Sequence, residues 1–216
     1  VLFCFGCILI GVMIGGFNGF IVTKFNVQPF IVTFTVNYIL LGVSQLILDR
    51  DGGAPAKAFT KVLMTKFGPI SLGVIIVLFI IIGWFFFRRT KFIRDVFAVG
   101  TNAKASALNG INVMRVKLIT FALSGGFAAL AGLWRTAQLG SGSPTAGDAL
   151  TTPTLTISVI GGTSMMGGVG GMYGTVVGAY ILRIISDLLT FLQTKSFWST
   201  VFQGVFLVAT VIVCSI

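Results

Sequence analysis

Long uncharged runs alternate with short polar segments along almost the whole of this 216-residue chain. An α-helix needs about 20 mostly apolar residues to cross the hydrocarbon core of a bilayer, and several runs are long enough alone. A soluble protein could bury one such helix, but not a series of them. The pattern therefore predicts an all-α, polytopic membrane bundle that forms a single domain over residues 1–216. The runs are 1–23, 25–48, 67–87, 118–134, 149–182 and 196–216.

The distribution of positive charge predicts which side of the membrane each loop faces. Seven of the fifteen basic residues lie in the loop 88–117, so the positive-inside rule places this loop in the cytoplasm. Alternating crossings then put the turn 24–29 inside and the segments 49–66 and 139–148 outside. The external segment 49–66 carries four basic residues, against eight on the cytoplasmic side, so the bias is clear without being large.

A glycine-rich stretch interrupts the last third of the chain. Residues 153–160 are apolar but too short to cross, and seven of the next fourteen residues, 161–174, are glycine. Irregular backbone at membrane depth is tolerated only inside protein or beside a water-filled cavity. We therefore expect a half-helix that breaks at 161–174, a returning helix over 173–192 and a last span over 200–216.

Small residues recur at the spacing that allows helices to approach closely in lipid. This spacing is common in membrane helices, so it predicts a compact bundle without indicating a function. The ridges are Gly11, Gly15 and Gly19; Gly125 and Ala129; Ala128 and Gly132; and Gly174 and Gly178.

Composition changes the picture in two respects. Only 9% of the residues are charged, compared with roughly a quarter in a soluble domain, and the net charge of +10 sits between spans instead of along one soluble face. We therefore expect the lipid bilayer as a partner and no nucleic acid. The chain also begins at Val1 inside an apolar run, so we expect further N-terminal spans to be missing from it.

The chain carries little of the equipment that catalysis needs. It has no histidine and no glutamate, so the acid–base pairs of hydrolases are absent, and without a Gly-Lys dipeptide it has no phosphate-binding P-loop. We expect no enzyme activity, no metal and no cofactor. Arg183 and Asp187 stand four apart and could pair on one helix face. Such a pair either neutralises itself near a helix end or forms a substrate or proton site.

A few uncharged polar residues occur inside otherwise apolar spans. Polar groups at membrane depth cost free energy unless they face protein or water, so these residues are candidates for a translocation pathway or for hydrogen bonds between helices. They are Asn18, Asn37, Gln45 and Ser158.

Short motifs in a fixed order resemble the permease subunits of bacterial ABC importers. The resemblance is greatest to the ribose/xylose-type sugar permeases, in the same superfamily as the branched-chain amino-acid permeases, and it covers nearly the whole chain. The motifs are 18–19 (NG), 29–31 (PFI), 88–94 (RRTKFIR), 98–102 (AVGTN), 107–113 (ALNGINV), 115–117 (RVK), 122–125 (ALSG), 128–132 (AALAG), 139–142 (LGSG), 144–147 (PTAG), 159–164 (VIGGTS) and 197–198 (FW).

The resemblance implies a pore subunit of an ATP-driven importer in the bacterial inner membrane, moving a simple sugar or a similar small polar solute by alternating access. It implies three kinds of protein partner: a second permease subunit, cytoplasmic ATPase subunits that hydrolyse ATP, and an extracytoplasmic solute-binding protein. Residues 102–110 would form a short cytoplasmic coupling helix that docks on the ATPase. The residues assigned to coupling are Asn102, Ala103, Ala105, Ala107, Gly110, Ile111 and Asn112.

The residues themselves suit a short helix at this place. Asn102 can cap it, alanines favour helix, and Gly110 can end it. Two other readings remain open: a passive channel or ion-coupled carrier, for which Asp187 is the candidate carboxylate, and a membrane-embedded enzyme. The enzyme is the weakest reading, because no pair of catalytic groups falls in one region.

Overall fold

The computed structural model describes residues 2–53, 55, 60, 66–67, 70–164 and 167–191, with the isolated positions 201, 204, 205 and 208. The chain divides into two compact units, Val1–Ile80 with Ser106–Gly147, and Ile81–Ala105 with Asp148–Ile216. The expectation of one permease domain over 1–216 stays a prediction. The predicted last span, 200–216, lies outside the described residues apart from the isolated positions.

The described elements are almost entirely helical, which confirms the predicted all-α class. The helices are α1 (Leu2–Phe25), α2 (Pro29–Ile47), α3 (Leu72–Phe87), α4 (Lys91–Thr101), α5 (Ala103–Leu108), α6 (Val113–Leu139), α7 (Asp148–Ile160) and α8 (Met172–Phe191). The exception is a two-residue antiparallel pair, β1 (Lys66–Phe67) with β2 (Ile70–Ser71).

Four described helices are long and apolar enough to cross a membrane: α1, α2, α6 and α8. Helix α3 is shorter than the predicted span 67–87, because residues 66–67 and 70–71 pair as strands before the helix begins. Together α3 and α4 pass the same test as one span, but they bend by 82° at the break between them. The multi-pass membrane prediction is confirmed, with up to five spans among the described residues.

The first unit is built on the close antiparallel packing of α1 against α6. A Cβ added to Gly11 would lie 2.6 Å from the carbonyl oxygen of Gly125, and one added to Gly19 would lie 3.1 Å from the Cα of Leu118. Two helices approach this closely only where one presents no side chain. The predicted ridge on α1 therefore packs on α6, whereas Gly132, from another predicted ridge, has open space around it.

Loops of the first unit meet at the end of α1 and α6 that was predicted to be external. Gly52 and Gly142 exchange backbone hydrogen bonds of 3.0 Å in both directions, and the Ser44 hydroxyl donates to the carbonyl oxygen of Pro144 at 3.2 Å. These bonds place the segment after α2 beside the loop after α6. That neighbourhood agrees with the prediction that both lie on the same side of the membrane.

The second unit contains a helical hairpin, α7 and α8, joined by the glycine-rich stretch. A Cβ on Gly178 would lie 2.6 Å from the carbonyl oxygen of Ile157, and one on Gly161 would lie 2.6 Å from the carbonyl carbon of Gly174. The predicted break is confirmed, since α7 ends at Ile160 and α8 begins at Met172.

The beginning of α7 differs from the prediction. The helix begins at Asp148, which we expected in the external loop, and it contains Pro153, which we expected to open the half-span. At the sixth residue of α7, Pro153 removes the N–H that would bond to the carbonyl of Ala149, and its ring crowds that carbonyl, at a cost of about 3 kcal/mol. Asp148 suits the first turn, because its carboxylate is attracted by the positive end of the helix dipole.

Candidate functional site

The predicted coupling segment, residues 102–112, forms a short helix with a cap at its beginning. Asn102 ends α4, and its side-chain oxygen accepts a hydrogen bond of 3.0 Å from the backbone N–H of Ala105. Such a bond satisfies one of the free N–H groups at a helix start. The helix itself is Ala103–Leu108. It is shorter than the expected 102–110, because residue 102 at one end and residues 109–110 at the other lie outside it.

A left-handed glycine closes the segment. Gly110 has φ +80°, and its N–H donates to the carbonyl of Ala107 at 3.0 Å, while that of Ile111 donates to Ser106 at 3.1 Å. Asn112 then caps α6, since its side-chain oxygen accepts from the N–H of Arg115 at 3.1 Å. The chain therefore leaves α5 and enters α6 through hydrogen-bonded caps.

One side of α5 is open. Ala105 and Ala107 are exposed, Ala103 is half-buried, and Leu108 is 90% exposed. On the opposite side, Ser106 is buried at 5% exposure. The segment presents small residues, Lys104 and one large apolar side chain, Leu108, at the surface.

Within the second unit the glycine-rich turn packs on the end of α4. A Cβ added to Gly100 would lie 2.7 Å from the backbone nitrogen of Gly168, and one added to Gly167 would lie 3.0 Å from the carbonyl oxygen of Gly100. Gly167 and Gly168 have φ of +91° and +78°, which glycine adopts without strain. The turn between α7 and α8 thus touches α4 two residues before the cap of α5.

The four candidate pathway residues are distributed over both units. Asn18 on α1 and Asn37 on α2 are half-buried, and Gln45 is exposed near the end of α2, all in the first unit. Ser158 lies on α7 in the second unit, where its hydroxyl donates to the carbonyl of Thr154 at 3.0 Å. No hydrogen bond joins Asn18, Asn37 and Gln45 to one another among the described residues of the first unit, so the shared role of the four stays a prediction.

Asn18 differs from the others in its hydrogen bonding. Its side-chain oxygen is buried and has no hydrogen-bond partner in the part of the chain that the structure describes. A buried acceptor without a partner costs about 1–3 kcal/mol. Such a group is therefore either an inefficiency of packing or an acceptor that is kept for a ligand or a water molecule.

The pairing of Arg183 with Asp187 is confirmed. The Nε of Arg183 donates to Oδ2 of Asp187 at 3.1 Å along α8. Both side chains are largely exposed, at 77% and 61%. The geometry agrees with mutual neutralisation, but it leaves the pair on an open helix face.

Comparison with known proteins identifies the family. The family model of the branched-chain amino acid transport system permease component matches residues 2–211. The chain belongs to this family. Membership in it, with the apolar helices described above, makes the chain a multi-pass protein of the bacterial inner membrane. No solved structure matches the chain.

Curated members of the family include several sugar permeases. The ribose import permease of Haemophilus influenzae is 32% identical over 95% of this chain and 65% of its own length. The xylose transport system permease of the same organism is 38% identical over 73% of this chain and 45% of its own. The galactose/methyl galactoside import permease of Salmonella typhimurium is 32% identical over 90% of this chain and 61% of its own. The chain thus spans just under two thirds of the length of the first of these relatives.

Sequence reasoning missed three residues that the structure brings to the candidate coupling segment. Leu108 stands out only by its exposure, and a leucine beside alanines looks like an ordinary helix former in sequence. Gly100 and Gly168 are 68 positions apart, and their contact depends on how the second unit folds.

Proposed function

We propose that this chain is the transmembrane pore subunit of an ATP-driven importer for a simple sugar or a similar small polar solute. The observation that carries the proposal is the coupling segment itself, a capped short helix with an open side between α4 and α6. Its exposed alanines and Leu108 fit the docking of a partner better than they fit contact with water alone.

Two connections could carry motion from α5 into the membrane. The chain continues directly into α6 through the Asn112 cap, so a displacement of α5 acts on that long helix. In the second unit, the contact of Gly100 with Gly168 links the end of α4 to the α7–α8 hairpin. Backbone contacts without side chains are stiff, because no rotamer can absorb the displacement.

The proposed partners follow from this role. ATP hydrolysis occurs in a separate cytoplasmic subunit that receives α5, a second permease subunit completes the pore, and a solute-binding protein delivers the solute from outside. Sugars are the proposed cargo, since the family members above are named for ribose, xylose and galactose. Alternating access then moves the solute as the ATPase opens and closes.

An ion-coupled carrier is the second candidate, and the structure offers it less support. Such a carrier needs a carboxylate that is available to an ion, and Asp187 is the intramembrane candidate. Asp187 is already bonded to Arg183, which compensates its charge. A passive channel remains compatible with the bundle but gives no role to the capped and exposed α5.

Co-purification with an ATPase subunit, followed by uptake measurements, tests the proposal. In Ala105→Glu the added charged side chain should prevent docking, so we expect uptake and ATPase association to be lost while membrane insertion is kept. The matched control is Ala149→Glu, which adds the same group to an exposed alanine at the start of α7. Full uptake by Ala105→Glu at normal protein level would reject the coupling role and favour the channel or the carrier.

A further inference from the structure

One face of α8 combines an aromatic ring with the ion pair. Tyr180, Arg183 and Asp187 follow the spacing i, i+3, i+7, which places them on one face of the helix. Tyr180 is 64% exposed, and the two charged side chains are similarly open. The opposite face packs inward, because Gly174 and Gly178 contact α7, and Leu182 is buried at 8%. We call Tyr180, Arg183 and Asp187 the α8 polar face.

This face lies within a candidate membrane span. The span is Met172–Leu189, and at 1.5 Å per residue Arg183 and Tyr180 lie about 9 and 14 Å from its Leu189 end. A charged residue at such depth is costly toward lipid, and it usually faces the protein interior or a water-filled cavity. This cost favours protein or water over lipid as the neighbour of the α8 polar face.

The chemistry of the face favours a neutral, hydroxyl-bearing ligand. The pair has no net charge, so it offers no general attraction to an anion or a cation. Its one bond, Nε to Oδ2, is the only one to these side chains among the described residues. The remaining N–H groups of the guanidinium and the other carboxylate oxygen can donate and accept at neighbouring points. Two adjacent hydroxyl groups of a ligand complement this arrangement, because one can accept from the guanidinium and the other can donate to the carboxylate.

Tyr180 adds the aromatic component. It precedes Arg183 by one turn, so its ring and the guanidinium border the same patch. A flat ring can cover the apolar C–H side of a sugar while the charged groups bond its hydroxyls, and Tyr also carries a hydroxyl. An apolar helix of a protein partner would fit this face less well than a sugar. It offers no acceptors for the remaining guanidinium N–H groups of Arg183.

We propose that the α8 polar face is a binding subsite for a neutral polyhydroxylated solute in the translocation pathway. Arg183 and Asp187 bond adjacent hydroxyl groups of the solute, and Tyr180 stacks against its ring. This assignment rests on the proposed transport function and adds the residues that would contact the cargo inside the membrane.

Uptake kinetics of the full-length permease with its ATPase and binding protein test the assignment, with ribose, xylose and galactose as probes. The decisive variant exchanges the charges, Arg183→Asp with Asp187→Arg, and so keeps an ion pair on the helix while moving its donors and acceptors. We expect the KM of uptake to rise at least about tenfold, since hydrogen bonds to charged groups are worth that much or more.

Two substitutions of Tyr180 provide an independent reading. Tyr180→Leu should raise the KM several-fold, whereas Tyr180→Phe keeps the ring and should stay closer to the wild type. The matched control is Val177→Thr, a small polar change at a half-exposed position of the same helix, with no expected effect. If the exchanged pair does not insert, the Tyr180 variants decide alone.

Each other result rejects the assignment. A wild-type KM in the exchanged variant and in Tyr180→Leu would make the pair a structural feature. If the variants form less of the complex with the ATPase and binding protein while their KM is unchanged, the α8 polar face packs against protein. If the wild-type complex takes up none of the three sugars, the proposed function fails first and the subsite falls with it, which separates the two failures.

Discussion

Gly100 and Gly168 touch backbone to backbone, and neither position has room for a side chain. A Cβ on Gly100 would lie 2.7 Å from the nitrogen of Gly168, and one on Gly168 would lie 2.6 Å from the Thr101 hydroxyl oxygen. Real Cβ atoms do not approach backbone so closely, so a methyl group must push the two segments apart. The contact therefore offers a direct way to loosen the link between α4 and the α7–α8 turn.

We expect Gly100→Ala to uncouple the transporter without unfolding it. Alanine favours helix within α4, but its methyl group would displace the glycine-rich turn, so uptake should fall about tenfold or more while ATP hydrolysis continues. Gly83→Ala is the control, because Gly83 is also helical, lies in the same unit and has open space around it. Uptake and ATPase activity are measured together in proteoliposomes. Normal uptake by Gly100→Ala would remove the contact from the coupling route.

The left-handed conformation of Gly110 supports a second prediction. At φ +80° a β-branched residue costs on the order of 1–3 kcal/mol, so Gly110→Val should tilt or unwind the end of α5. We expect loss of uptake and weaker ATPase association at normal membrane levels. Gly110→Asn is the control, since asparagine tolerates this conformation best among the other residues. An equal loss of uptake in Gly110→Val and Gly110→Asn would contradict the role of the backbone angle. It would show instead that no side chain of any kind is tolerated at this position.

Adjacent glycines on α1 allow a matched test of the packing with α6. A Cβ on Gly15 would collide with the carbonyl oxygen of Phe121, whereas one on Gly16 meets nothing within 4 Å. We expect Gly15→Ala to destabilise the first unit by about 1–3 kcal/mol and Gly16→Ala to have little effect. Thermal unfolding in detergent measures both. Similar unfolding temperatures for the two variants would contradict the antiparallel contact.

Substitution of Asn18 tests whether its buried side-chain oxygen, which costs folding free energy, contributes to transport. Because its buried oxygen has no partner among the described residues, Asn18→Leu should stabilise the protein by about 1 kcal/mol. If the acceptor contributes to the pathway, uptake per folded molecule should fall in the same variant. Asn37→Leu is the comparison, as it changes a half-buried amide on α2. Higher stability with normal uptake would assign Asn18 to packing alone.

How much the sequence could predict differs between local and long-range features. The spans formed by α1, α2, α6 and α8, the break at the glycine-rich stretch and the cap at Asn102 depend on neighbouring residues, and these predictions are confirmed. The start of α7 was misplaced because a proline normally ends or opens a helix, and here Pro153 lies in its second turn. The pairing of residues 66–67 with 70–71 was missed because Phe67 and Ile70 are apolar and continue the pattern of the predicted span.

The candidate site shows the same division. The coupling segment could be placed because its own residues form the caps, but the contact of Gly100 with Gly168 required the fold. Similarly, the spacing of Arg183 and Asp187 predicts a pair, whereas the openness of their face depends on which side of α8 packs against α7. Periodicity gives the faces of a helix but not their neighbours.

The orientation of the chain leads to the last prediction. Ser106 would be the natural cysteine position in the predicted cytoplasmic loop, but it is buried, so a label could fail to reach it for steric reasons alone. Leu108 is 90% exposed and serves better. In a background without Cys4, Cys7 and Cys214, Leu108→Cys should react with a membrane-impermeant maleimide only in inside-out vesicles.

A cysteine at Asp51 supplies the opposite arm of the experiment. Asp51 is exposed and precedes Gly52, whose bonds with Gly142 join the two loops predicted to be external. Asp51→Cys should therefore react in intact cells and not from the cytoplasmic side. The seven basic residues in the loop 88–117 disfavour translocation of that loop, which is the physical basis of the expectation. The reverse labelling at both sites would invert the orientation and move α5 away from any cytoplasmic ATPase.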